Sequence, residues 1–142
     1  MKKPSREFLL TLMYRILTVL YASLIFVLSS MPAPPQPPKE FLFPYIDLFE
    51  HAAEYSILGF LLFYSIVKSK RQYLKTNAFE LSVIIGVLYS FTDELHQYFV
   101  PNRVMAIEDL FADSLGVLWG AFVAVALIVY LANRREEVAP TA

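Results

Sequence analysis

Three short stretches of an otherwise apolar chain carry most of its reactive side chains: His51 with Glu54, Asp93-Glu94 with His96, and Asp109 with Asp113. Carboxylates and imidazoles act as general acids and bases, as hydrogen-bonding partners for a polar ligand, or as ligands for a divalent cation. Arg103, between the second and third stretches, offers a planar donor set suited to phosphate or carboxylate. Candidate catalytic residues are His51, Glu54, Asp93 and Glu94; candidate ligand-binding residues are Tyr55, His96, Gln97, Arg103, Asp109 and Asp113. His51 and Glu54, one helical turn apart, could share an ion with Asp93, although their order reverses the Glu-x-x-His arrangement of carboxylate-bridged metal bundles. The His-Glu-x-x-His signature of helical zinc hydrolases is absent. These residue types leave a divalent cation, held by histidine and carboxylate ligands, open as a cofactor.

The chain of 142 residues is 57% hydrophobic and only 18% charged, too little polar surface to coat a small soluble domain. Twelve basic residues against thirteen acidic ones give no positive field for nucleic acid, which is excluded as a partner. The absence of cysteine removes disulfide frameworks, thiolate catalysis and thiolate-ligated metals. The expected partner is the lipid bilayer.

Four stretches approach the roughly 20 apolar residues that a crossing helix needs: Phe8 to Leu28, Leu48 to Val67, Phe79 to Tyr98 and Leu110 to Leu131. Together they predict an all-α bundle of four transmembrane helices, forming a single domain over residues 1–142. Arg15 lies two turns into the first span, from where its stem reaches the nearer headgroups. Lys2, Lys3 and Arg6 also fit a signal peptide, but the prolines after Met31 disfavour cleavage, and an uncleaved first span is expected. Nine basic residues fall on one side of this arrangement, against Lys39 and Arg103 on the other, so both termini are expected in the cytoplasm. Between the first two spans, the prolines from Pro32 to Pro38 predict a stiff extended spacer, and Phe41, Leu42, Phe43 and Tyr45 an interfacial anchor.

This topology puts nine of the thirteen acidic residues and both histidines toward the outer side. Offsets of 4, 7 and 11 residues lie along one face of a helix. Such stripes join Asp47, His51, Glu54 and Leu58 on the second span, Gly86, Ser90, Asp93 and Gln97 on the third, and Asp109, Asp113, Gly116 and Gly120 on the fourth. A charge facing lipid costs about 3 kcal/mol or more, so the stripes should face one another, with the glycines allowing close approach. The acids outnumber the bases, and compensation must come from Arg103, protonated histidine, neutral carboxylates, a divalent cation or a cationic ligand. Pairing with Asp93, Glu94 or Asp109 is the expected structural role of Arg103; capping of the fourth helix is that of Asp109 and Asp113. Tyr55, Tyr98 and Trp119 read most simply as packing, interface or lipid-contact residues.

The segment His51-Ala-Ala-Glu54-Tyr55-Ser-Ile-Leu58-Gly59-Phe60 resembles the H-x-x-E-Y-x-x-L-G-F segment of the VanZ-like family of small membrane proteins. Asp93-Glu94-Leu-His96-Gln97-Tyr-Phe-Val-Pro101-Asn-Arg103 resembles its D-E-x-x-Q-x-x-x-P-x-R segment, and the likeness continues from Asp109 to Gly120 and at Ser29-Ser30-Met31-Pro32. Asn102 stands where the family commonly has glycine, and Asp113 where it commonly has asparagine, which adds a carboxylate to an acidic cluster. The resemblance implies a multi-pass protein of the bacterial cytoplasmic membrane and a cell-envelope role; the family is named for a protein associated with resistance to the glycopeptide teicoplanin. It supplies no reaction.

Two functions follow as expectations. One is binding or modulation of an amphiphilic or lipid-linked envelope molecule by the outer polar cluster. The other is a membrane-embedded hydrolase or transferase, with His51 or Glu54 as general base and Arg103 stabilising negative charge on a lipid-linked substrate. Transport is disfavoured because the inner half of the bundle has no continuous polar route.

Overall fold

A computed structural model describes residues 5–33 and 46–138, and the described residues form helices without strands. Helix α1 (Arg6–Ser29) starts where the Ser5 hydroxyl oxygen accepts the Phe8 N–H at 3.3 Å, with Glu7 at the positive end of the helix dipole. Helices α2 (Ile46–Val67), α4 (Ala78–Gln97) and α5 (Ile107–Val138) follow, with a short α3 (Gln72–Thr76) between α2 and α4. The four long helices coincide with the four expected stretches to within a few residues, except that α5 continues past Leu131. Most of the proline-rich spacer and its aromatic anchor lie outside the described residues.

Two of these helices, α1 and α5, are long and apolar enough to cross a membrane. By the same measure α2 and α4 fall short, because each carries carboxylates and a histidine toward one end. Helix α2 buries Tyr55, Leu58, Leu62 and Phe63 and leaves Asp47 and Glu50 exposed near its start, whereas α4 is arranged with polarity inside. Helix α4 buries Ser82, Ser90, Asp93, Glu94 and Gln97 while it exposes Ile84, Ile85, Leu88, Phe91 and Leu95. A soluble helix bundle does the reverse.

The α2–α5 pair is the most extensive helix contact, with α4 packed across both and α1 lying against α2. Small residues explain the intimacy. Ala112, Gly116, Gly120 and Ala124 recur every fourth position on α5, and all four are buried. A Cβ on Gly116 would collide with the Ala52 carbonyl, and one on Gly120 with the Ser56 carbonyl. The two backbones therefore touch. Below this contact the core is apolar and aromatic: Phe63, Tyr64, Ala78, Ala121 and Ala124 pack together, and Tyr14 of α1 stacks on Tyr64 at 4.8 Å. Arg15, Lys68 and Arg71 line a separate cavity at the end of the bundle where α1 begins.

Gly120→Ala is expected to destabilise the fold by about 1–3 kcal/mol, since neither backbone can yield to the added methyl without parting the helices. Thermal unfolding of the purified protein in detergent measures this, with the exposed Leu118→Ala as the neutral comparison. Equal melting temperatures would contradict the backbone contact.

Candidate functional site

The centre of the site is Asp113, which is wholly buried on α5 two turns from the start of the helix. Its two oxygens have partners from two other helices. His51 Nδ1 of α2 meets Oδ1 at 2.9 Å, and Ser90 Oγ of α4 donates to Oδ2 at 2.8 Å. The placement of His51 follows from the glycine contact, since Ala52 is the residue pressed against Gly116, one turn beyond Asp113. With Nδ1 facing Asp113, the opposite ring nitrogen, Nε2, points toward Asp109 Oδ2 at 3.8 Å.

Asp93 anchors the other side. Its Oδ2 accepts from Ser29 Oγ of α1 at 2.8 Å and from Gln97 Nε2 at 3.3 Å. Its Oδ1 is buried without a hydrogen-bond partner, and so is the hydroxyl of Tyr55, which lies close enough to Asp93 to interact with its carboxylate. Both residues line a cavity of about 170 Å³ whose wall also includes His51, Glu54, Gln97 and Arg103. Asp47 and Glu50 complete the acidic rim. A buried polar atom without a partner costs about 1–3 kcal/mol, which a ligand reaching that atom would relieve.

Glu94 behaves differently from its neighbour. It is fully buried and turns toward the start of α5, where Oε2 accepts the Ala106 N–H at 3.1 Å and Oε1 has no partner. One oxygen of Glu94, one of Asp109 and a ring nitrogen of His51 lie within 4.8 Å of one another. The sequence model of the VanZ/LLP1 family matches residues 8–130, which contain every residue of this cluster. The chain belongs to the VanZ/LLP1 family. Comparisons with curated proteins and with solved structures return no match.

Several sequence expectations for this VanZ/LLP1 member change once the geometry is known. Arg103 pairs with no carboxylate among the described residues. Its Nε donates to the Met31 carbonyl and its Nη2 to the Leu28 carbonyl, both at 3.2 Å, so it caps the carbonyl end of α1, where the helix dipole favours a cation. The turn that delivers it passes through Asn102, the one described non-glycine residue with positive φ, at 62°. Asparagine tolerates this left-handed geometry, so the residue standing in for the family's usual glycine keeps the turn.

Asp109 lies in the first turn of α5, at the positive end of its dipole, but among the described residues no backbone N–H donates to Asp109 or Asp113; the carboxylate bonded at the start of that helix is Glu94 of α4. His96 is not in the cluster. It faces α1, where it stacks on Phe26 at 4.6 Å and meets Ser30 Oγ at 2.9 Å. The atoms within metal-ligand reach belong to His51, Glu94 and Asp109, instead of His51, Glu54 and Asp93. Tyr98 and Trp119 both point outward, Trp119 stacked on Phe122.

Sequence reasoning missed Ser29 as a site residue, although the spacing rule used for the other helices would have found it. Thr18, Ile25 and Ser29, separated by 7 and 4, form the buried face of α1. Asp113→Ala is expected to cost about 2–5 kcal/mol, because it leaves both His51 and Ser90 without their acceptor inside the bundle. Ser90→Ala, which removes one bond and leaves the other, should cost about 1–2 kcal/mol. Denaturation of the two variants in detergent checks the order; equal losses would remove Asp113 from the centre of the network.

Proposed function

We propose that this VanZ/LLP1 protein crosses the bacterial cytoplasmic membrane four times, with both termini inside. It holds the polar headgroup of an amphiphilic or lipid-linked envelope molecule in the cavity between α1, α2 and α4. The observation that carries this reading is the pair of buried, unpartnered polar atoms, Tyr55 Oη and Asp93 Oδ1, on residues lining one polar cavity. Together they offer a donor and an acceptor to a headgroup. Arg103 spends two N–H groups on α1 carbonyls and has others for a phosphate or carboxylate, while Glu54 and Asp93 suit an amine or hydroxyls.

Four crossings are supported by the apolar outer face of α4 and by the exposed apolar residues of α2 beyond its acidic start. Ile57 on α2 and Leu88 on α4 are exposed while the carboxylates of Asp93 and Glu94 turn inward, a distribution that hydrocarbon favours and water does not. Lys68, Lys70, Arg71 and Lys75 lie at the opposite end of α2 from His51, in keeping with the positive-inside rule. Sequestering or shielding an envelope headgroup would link the site to glycopeptide protection of the kind for which the family is named.

Topology has a direct test, because the chain contains no cysteine. A membrane-impermeant maleimide is expected to label Val104→Cys in intact cells and Lys75→Cys only after lysis; the opposite pattern would invert the orientation. For the site, binding of a polyprenyl-pyrophosphate-linked wall precursor to the protein in nanodiscs should be saturable. Tyr55→Phe and Asp93→Asn should each weaken it about tenfold, as expected for one lost hydrogen bond of about 1–2 kcal/mol. Absence of saturable binding by the unsubstituted protein to polyprenyl-linked, anionic and zwitterionic lipids alike would overturn the reading.

A second reading, hydrolase or transferase action on the same class of molecule, draws on one feature: a buried carboxylate, Asp113, orients the His51 imidazole as a general base is oriented. Product formation in the same nanodiscs, lost in His51→Ala, distinguishes it from binding alone.

A further inference from the structure

Behind the cavity, on the α4–α5 side of His51, lies an arrangement that headgroup binding does not use. Asp113 accepts only, when ionised, so the hydrogen on His51 belongs on Nδ1 and the Nε2 lone pair is directed toward Asp109 Oδ2 at 3.8 Å. That distance is too long for a hydrogen bond. A lone pair facing a carboxylate calls for a positive charge or a hydrogen-bond donor between them; a proton on Nε2 and a metal ion are the two that supply charge.

The surroundings distinguish the two. Three carboxylates, Glu94, Asp109 and Asp113, converge on the one imidazole. When all are ionised, a protonated ring offsets one of them, whereas a dication beside the neutral ring offsets two. Glu94 supplies the independent sign. It is wholly buried and belongs to the group of converging ligand atoms, yet one of its oxygens has no hydrogen-bond partner, and among the described residues no cationic side chain forms a salt bridge with it.

The geometry points to a divalent transition cation of the zinc–manganese class held by His51 Nε2 and by one carboxylate oxygen each from Glu94 and Asp109, with Asp113 as the positioning residue for His51. One imidazole and two carboxylates form a ligand set of that class, and three protein ligands leave at least one position open. Ligand atoms on a four-coordinate ion with bonds of about 2.0 Å are about 3.3 Å apart. The His51–Asp109 separation of 3.8 Å is close to this, and the group, spread over at most 4.8 Å, would contract by about 1.5 Å to hold such an ion. The Asp113–His51 bond is the usual outer support of a metal-bound imidazole, fixing its tautomer and ring orientation. His51 and Asp109 each keep a small exposed fraction of side chain, which gives an ion its way in.

This inference does not depend on the headgroup reading, and the two fail separately. The full-length protein in detergent, stripped with chelator and then titrated with Zn²⁺ and with Mn²⁺ in the absence of lipid, is expected to bind one ion per chain. Co²⁺ should give the visible absorption of a site with a nitrogen ligand. Glu94→Gln and Asp109→Asn should each weaken affinity at least tenfold, and Asp113→Asn by about 10–100-fold. Glu108→Gln, on the exposed neighbour of Asp109, should leave it unchanged. No saturable binding of either ion by the unsubstituted protein would overturn the proposal, whatever the variants do. Binding that survives both Glu94→Gln and Asp109→Asn would do the same. Metal binding without any lipid binding would keep this site and remove the headgroup reading.

Discussion

The structure depends on two helix backbones that touch. Where α2 crosses α5, the Ala52 and Ser56 carbonyls occupy the space that side chains on Gly116 and Gly120 would fill. Because backbones are the least deformable parts of the bundle, this contact fixes the rotation and the axial offset of both helices. The His51–Asp113 bond then follows from adjacency: one residue before Ala52 on one helix meets one turn before Gly116 on the other. In an apolar surround there is little hydrophobic force to drive helices together, so close packing of small residues and hydrogen bonds between helices must supply the association.

The polar network takes the same logic outward from α2 and α5. Asp113 draws in Ser90 and with it α4; Asp93 draws in Ser29 and with it α1; Arg103 closes the top by holding the carbonyl end of α1. Every long helix is tied to another through a carboxylate or guanidinium. Each of these bonds, like that from the Ala106 N–H to Glu94, takes a group that would be expensive in hydrocarbon and gives it a partner, and for this reason Asp93, Glu94 and Asp113 can be buried at all. The polar atoms left without partners are therefore informative. Tyr55 Oη, Asp93 Oδ1 and Glu94 Oε1 are the three such buried side-chain atoms among the described residues, and all belong to this one region.

Much of this was legible in the residue order. The four long helices fall on the four expected stretches, and inward-facing positions follow the 4, 7 and 11 spacing on α2, α4 and α5: Leu58, Ser90, Asp93, Gln97, Asp113, Gly116 and Gly120 are buried as that spacing requires. Departures have a common cause. His96 is only three residues past Asp93, yet the rotation of α4 against α1 sends it to Ser30 and Phe26. Charge counting favoured a carboxylate for Arg103, but the C-terminal carbonyls of α1 were nearer. Short helix α3, with few apolar residues, carries too weak a pattern to announce itself.

Helix periodicity and the penalty for placing charge in hydrocarbon are local constraints, and from them alone the sequence determined that this chain is helical, that its reactive side chains turn inward, and that small residues mark the close crossing. Partnership was decided only by the tertiary structure. Whether Glu94 joins Asp93 at the cavity or His51 and Asp109 behind it depends on how far each helix is turned and slid along its neighbours. Those two numbers are set by contacts between residues about 60 positions apart, as at Ala52 and Gly116, and no spacing within a single helix contains them.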